Sequence, residues 1–186
     1  MNGDDLLETT SAATVASASE PFSSQRSGSE GSAPKRLVIL GATGSIGRSC
    51  AQVIAVSPGR FEVAALAGGR DGAALAKAAI ALKASFAAIA DPSAYAELKA
   101  GVAGHDIEVA AGSKAVVEAA LRQADLVVAA IAGTAGLEST YAAIDAGRRV
   151  ALANKETLVC AGYAVMEAAK PHATHQNRVQ AVMSTL

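Results

Sequence analysis

The chain has 186 residues, 51% of them apolar and only 3% aromatic, with a formal net charge of -1 at pH 7. That length suits one ordinary domain plus a tail, and the composition excludes a wholly disordered protein in favour of small residues packed in an α/β core. The near-zero charge gives no electrostatic drive toward nucleic acid or an acidic membrane, and no run has the length and uniform apolarity of a membrane span.

Residues 1–34 are rich in Ser, Ala, Thr and Gly, carry several acids, and lack the apolar core of a signal peptide. A disordered tail is expected there, because so little apolar surface cannot offset the entropy of ordering. The texture changes at Lys35. "RLVIL" (36–40) reads as a buried strand that stops at Gly41, and Ser45 to Val56 as a helix that ends at "SPGR". A strand over 61–68 and a helix over 72–82 follow, then a strand over 86–91 stopped by Pro92 and a helix over 93–100. "DIEVAAG" (106–112) predicts a fourth strand, and Ser113 caps a helix running to Arg122. A strand over 125–131, a helix over 137–146, a strand over 148–153 and a last helix from about Thr157 to Ala169 complete the alternation. Residues 171–186 read as an atypical C-terminal tail.

Strands alternating with helices through short links imply βαβ units, hence a doubly wound, mostly parallel, Rossmann-type sheet in a single domain over 35–170. Such sheets bind ligands at the carboxyl ends of their strands, so the residues after each strand carry most information. After the first strand comes "GATGSIG", with Gly41, Gly44 and Gly47 opening a helix. Backbone amides at that helix start favour an anion such as a pyrophosphate, Gly44 lets the backbone approach it, and Thr43 and Ser45 add hydroxyl donors. After the second comes "AGGRDG". Arg70 suits a ribose 2′-phosphate and an ionised Asp71 opposes one, so the pair leans to NADP without settling it; a solvated surface charge is the alternative for Arg70. After the fifth, Gly133 and Gly136 leave room for a ligand over the strand end.

After the sixth strand comes "NKE". A helix start capped by Asn154 or Thr157, with Glu156 in the first turn, explains two of the three residues. Lys155 is left over: a cation disfavours a helix N-terminus, so it is better understood as meeting an anionic ligand. Cys50 and Cys160 read as small buried hydrophobes, and two thiols without a disulfide framework fit a reducing, cytoplasmic setting. His172 and His175, with no nearby carboxylate, read as solvated tail residues and not as a metal pair.

The segments "LVILGATGSIG", "AALAGGRD", "AAIAGTAGL" and "LANKETLVCAG", in this order, resemble the N-terminal NADPH-binding domain of the 1-deoxy-D-xylulose 5-phosphate reductoisomerase family. The resemblance runs from about Lys35 to Lys170. It implies an enzyme of non-mevalonate isoprenoid biosynthesis, homodimeric, that rearranges a keto-sugar phosphate and reduces it with NADPH and a divalent Mg, Mn or Co ion. It further implies that Thr43, Gly44, Ser45 and Ile46 contact the cofactor phosphates, and that Gly69 and Arg70 hold the 2′-phosphate end beside Asp71, where Asn is common. Asn154 and Glu156 would lie along the nicotinamide half, and Lys155 would touch the sugar phosphate. The family continues into a strand and an acidic, metal-binding segment close to "LLPVDSEH"; this sequence instead reads "PHATHQNRVQAVMSTL". A truncated, catalytically inert chain is therefore expected, with a non-catalytic nucleotide-binding remnant as the alternative. Dehydrogenases of dihydrodipicolinate or homoserine type share the layout but not the "LANKE" segment.

Overall fold

The computed structural model describes residues 33–169 and 179–181, so most of the expected N-terminal tail, and His172 and His175, lie outside the described residues. Its strands are β1 (Lys35–Leu40), β2 (Phe61–Gly68), β3 (Phe86–Ile89), β4 (Glu108–Ala111), β5 (Leu126–Ala129), β6 (Val150–Leu152) and β7 (Val179–Ala181). The helices are α1 (Ser45–Ala55), α2 (Gly72–Ala81), α3 (Tyr95–Gly101), α4 (Ser113–Leu121), α5 (Leu137–Asp145) and α6 (Lys155–Ala169). All strand pairs are parallel, in a seven-stranded sheet of order β4-β3-β2-β1-β5-β6-β7. The order reverses direction between β1 and β5, which is the switch point where a doubly wound sheet opens a crevice.

Strand periodicity sets the two faces. Val38 and Leu40 join a core with residues of α4, α5 and α6, whereas Ile39 points to the other face with residues of α2 and α3. A bulge interrupts the alternation on β2: Leu37 pairs with Val63 but Val38 with Ala65, leaving Ala64 as the extra residue. Ala64 and Ala65 consequently both face the first core, and the Ser85 hydroxyl donates to the Ala64 carbonyl at 2.8 Å.

Several local expectations are corrected. The cap of α4 is Gly112, at φ 94°, and Ser113 lies inside the first turn with no capping bond. The helix expected over 93–100 is split: Asp91 caps a short 3-10 turn at Pro92–Ala94, and α3 begins at Tyr95. The last helix starts at Lys155 and not Thr157, and kinks at Ala161, whose φ of -139° is not helical. Cys50 is half-buried against the core and burial pushes its thiol pKa up, but Cys160 is exposed, against its reading as a buried hydrophobe. The strand β7 falls in the stretch read as a tail; its three residues are too short a run to announce a strand. Among the described residues, no helix is long and apolar enough to cross a membrane.

Arg122, just past α4, ties one edge together. Its guanidinium stands 4.1 Å from the Phe86 ring centroid, and Nη2 donates to Glu108 and Glu118, each at 2.7 Å. Both carboxylates are more than half exposed, so the ion pairs contribute little beyond the ring contact. Arg122→Ala is expected to cost about 1–2 kcal/mol, read as a lower urea midpoint, with Glu108→Gln costing less than half of that.

Candidate functional site

A cleft of about 650 Å³ opens at the carboxyl ends of β1, β5 and β6, a size ordinary for a small-molecule site. Its floor is the turn after β1. The amides of Gly41 and Ala42 both donate to the Ala67 carbonyl, at 2.9 and 2.8 Å, which ties the turn to β2. Gly41 has φ +89°, and a Cβ there would stand 2.5 Å from the Ala130 carbonyl oxygen. A Cβ on Gly47 would collide with the carbonyls of Gly41 and Ala42, so α1 lies directly against the turn. Arg48 braces the loop from outside, Nη1 donating to the Thr43 carbonyl at 2.6 Å.

Gly44 caps α1 without a side chain, so the helix start faces the cleft with no protein acid upon it. That arrangement suits an anion. The start of α2 differs: Asp71 Oδ1 accepts from the Ala74 amide at 2.8 Å, and Glu97 Oε2 accepts from the Gly72 amide at 3.1 Å. Asp71 is thus a helix cap. Arg70 is exposed and, like Asp71, does not line the cleft, although the adjoining Gly69 does. Nearby Asp91 donates its amide to the Gly69 carbonyl at 2.9 Å. Hydrogen bonds from the Ser93 hydroxyl and amide hold the Asp91 carboxyl below the usual carboxylate range, and the Arg70 charge adds to the effect.

At the far end stands Asn154, only 4% exposed. Its Oδ1 accepts from the Glu156 amide at 2.8 Å, and its Nδ2 donates to the carbonyls of Ile131 and Gly133 at 2.6 and 2.9 Å. Asn154, and not Thr157, therefore caps α6. The structure brings Thr43, Gly44, Ser45, Ile46, Gly69, Asn154 and Glu156 to one cleft. Lys155 is the first residue of α6, and its side chain lies outside the described residues. Sequence reasoning missed Ser113, Val117, Thr134 and Glu138, which also line the cleft. Ser113 follows a strand end, the signal that marks it as a site residue, but its residue type at a helix start equally suits a cap. Among the described residues, no three His, Cys, Asp or Glu side chains converge as a metal site would require, so these residues do not fit the divalent ion by themselves.

A glycine turn between a buried parallel strand and a helix whose start carries no side-chain cap, at the switch point of a doubly wound sheet, defines a Rossmann-type nucleotide-binding domain. The chain belongs to the 1-deoxy-D-xylulose 5-phosphate reductoisomerase family, whose sequence model matches residues 37–162. The reductoisomerase of Rhodopseudomonas palustris (strain BisB18) is 53% identical over 137 residues, covering 73% of this chain and 34% of that protein. The Zymomonas mobilis reductoisomerase is 49% identical over 143 residues, 77% of this chain and 37% of that protein. A solved structure of the reductoisomerase from Zymomonas mobilis in complex with NADPH matches with a TM-score of 0.77 at 47% identity, covering 81% of this chain and 39% of that one. A reductoisomerase in complex with NADPH, fosmidomycin and magnesium matches with a TM-score of 0.72 at 40% identity, covering 80% and 36% respectively. The chain spans about a third of the length of the curated relatives it matches.

Proposed function

We propose that this chain is the NADPH-binding portion of a 1-deoxy-D-xylulose 5-phosphate reductoisomerase, which converts 1-deoxy-D-xylulose 5-phosphate to 2-C-methyl-D-erythritol 4-phosphate. The observation that carries this is the start of α1, free of any side-chain cap, set behind the Gly41 turn and facing the cleft. Thr43, Gly44, Ser45 and Ile46 would hold the cofactor's phosphates by backbone amides and hydroxyls, since no side chain competes there. Gly69 and Arg70 would take the 2′-phosphate end. The Asp71 carboxylate is engaged by the start of α2, which lessens its opposition to that phosphate. Asn154 and Glu156 border the nicotinamide half, and Lys155 would meet the sugar phosphate. NADPH, when bound, supplies hydride to a carbonyl carbon; this domain orients it and keeps one side of it out of water. The divalent ion belongs to the reading of the whole reductoisomerase. Homodimer formation belongs to the same reading of the whole enzyme, and the two free thiols support a cytoplasmic setting.

Titration of NADPH against the 186-residue chain, followed by nicotinamide fluorescence, tests the reading. Saturable enhancement is expected, stronger for NADPH than for NADH. Arg70→Ala should raise the NADPH Kd by about tenfold, equivalent to about 1.4 kcal/mol, and leave NADH nearly unchanged. Absence of saturable binding by the folded chain would overturn the proposal.

A further inference from the structure

We propose that Asp91, just past β3, is a specificity-determining residue: a fixed negative charge, tethered by Ser93, that restrains how strongly the Arg70 corner takes a 2′-phosphate. This rests on the NADPH reading above and adds to it an opponent of the phosphate from a different strand. Its position comes from the backbone. Past the end of β3 the ladder with β2 continues, Ala90 donating its amide to the Gly68 carbonyl and Asp91 to the Gly69 carbonyl, each at 2.9 Å. Asp91 therefore runs one strand spacing, about 4.8 Å, from the glycine that precedes Arg70. Gly68, Gly69 and Ala90 line the cleft at this corner.

Two hydrogen bonds fix the carboxylate. Asp91 Oδ1 accepts from the Ser93 hydroxyl at 2.7 Å and from the Ser93 amide at 2.9 Å. These bonds favour the ionised form, and the Arg70 charge acts on it through space. Among the described residues no ion pair joins Asp91 to Arg70. Asp71 differs, because its Oδ1 serves the Ala74 amide at the start of α2, where the helix dipole offsets its charge. Asp91 is thus held near enough to be felt and too firmly to pair, which leaves the guanidinium available to a ligand. A phosphate dianion bound at Arg70 meets the Asp91 charge across a corner where Gly69, Arg70 and Ser93 are exposed, so the repulsion is modest and salt-sensitive. NADH carries no 2′-phosphate and does not meet it.

The test titrates the full chain with NADPH, NADH and 2′,5′-ADP at ionic strengths of about 0.02 M and about 0.5 M. Asp91→Asn keeps an oxygen for both Ser93 donors and removes the charge. It should tighten NADPH and 2′,5′-ADP about threefold at the lower salt and less than about 1.5-fold at the higher, with NADH within about 1.5-fold throughout. Ser93→Ala removes the hydroxyl bond and lets the carboxylate swing onto Arg70, so NADPH should weaken about twofold, and the double variant should lose that weakening. A merely structural role for the turn would move every ligand alike, without dependence on salt. Unchanged or weaker NADPH binding in Asp91→Asn, or an equal change for NADH, overturns the proposal. So does unchanged or tighter NADPH binding in Ser93→Ala. If the wild-type chain binds no probe, the NADPH reading and this proposal fall together; if it binds NADPH and the variants miss the pattern, the proposal alone falls.

Discussion

Gly41→Ala is expected to abolish NADPH binding and to cost about 3–5 kcal/mol of folding stability. Two effects add. The residue sits at φ +89°, where an L side chain strains the backbone by about 1–3 kcal/mol. The new methyl also meets the Ala130 carbonyl oxygen at 2.5 Å and the Ile131 amide nitrogen at 2.9 Å, and these are backbone atoms that cannot rotate away. Relief requires the end of β5 to move off β1, which widens the crevice between them and carries Ile131 away from Asn154. Binding and stability should therefore fall together, measured by NADPH titration and urea unfolding on the same preparation. A variant that keeps full affinity would show that the turn yields without disturbing the strand ends.

Phe86→Ala should be similarly severe, at about 3–5 kcal/mol, with no direct effect on the cleft. Phe86 is fully buried on β3 and is the largest fully buried side chain among the described residues. Its neighbours are mostly Ala and Val, which have few atoms with which to refill the space, so a cavity should persist. The loss also strips Arg122 of its ring. Combining Phe86→Ala with Arg122→Ala should expose a coupling of about 0.5–1 kcal/mol. Against a total stability of about 5–15 kcal/mol, the single change leaves a chain close to unfolding at physiological temperature. Denaturant melts read both quantities; a cost below about 1 kcal/mol would mean that the alanine-rich layers collapse into the gap.

Strands and helices that announce themselves by local chemistry were legible without coordinates. "RLVIL" ending at Gly41, and "FEVAALAG" ending at a glycine pair, carry their fate in adjacent residues, and the observed β2 matches the expected span. The glycine turn was legible for the same reason, since strand, turn and helix start are contiguous. What escaped depends on distant partners. The Asn154 amide reaches carbonyls 21 and 23 residues away, so these bonds are invisible to any local pattern. The double hold on α2 was hidden in part because Glu97 comes from a neighbouring helix, 25 residues from Gly72. The strand β7 depends on β6 as a template, and the exposure of Cys160 depends on which side of α6 packs on the sheet. Long-range geometry, and not residue type, separates the two groups.

The doubly held start of α2 bears on how cofactor choice evolves. Glu97 secures the first amide of the helix independently of Asp71, so position 71 is not the sole anchor of that end. An asparagine at 71 would still offer an acceptor to Ala74 while removing a negative charge beside Arg70. Charge at this corner is thereby uncoupled from the integrity of the helix. On the NADPH reading proposed above, single substitutions at position 71 would alter how the corner tolerates a phosphate while leaving the hold on α2, the sheet and its crevice intact.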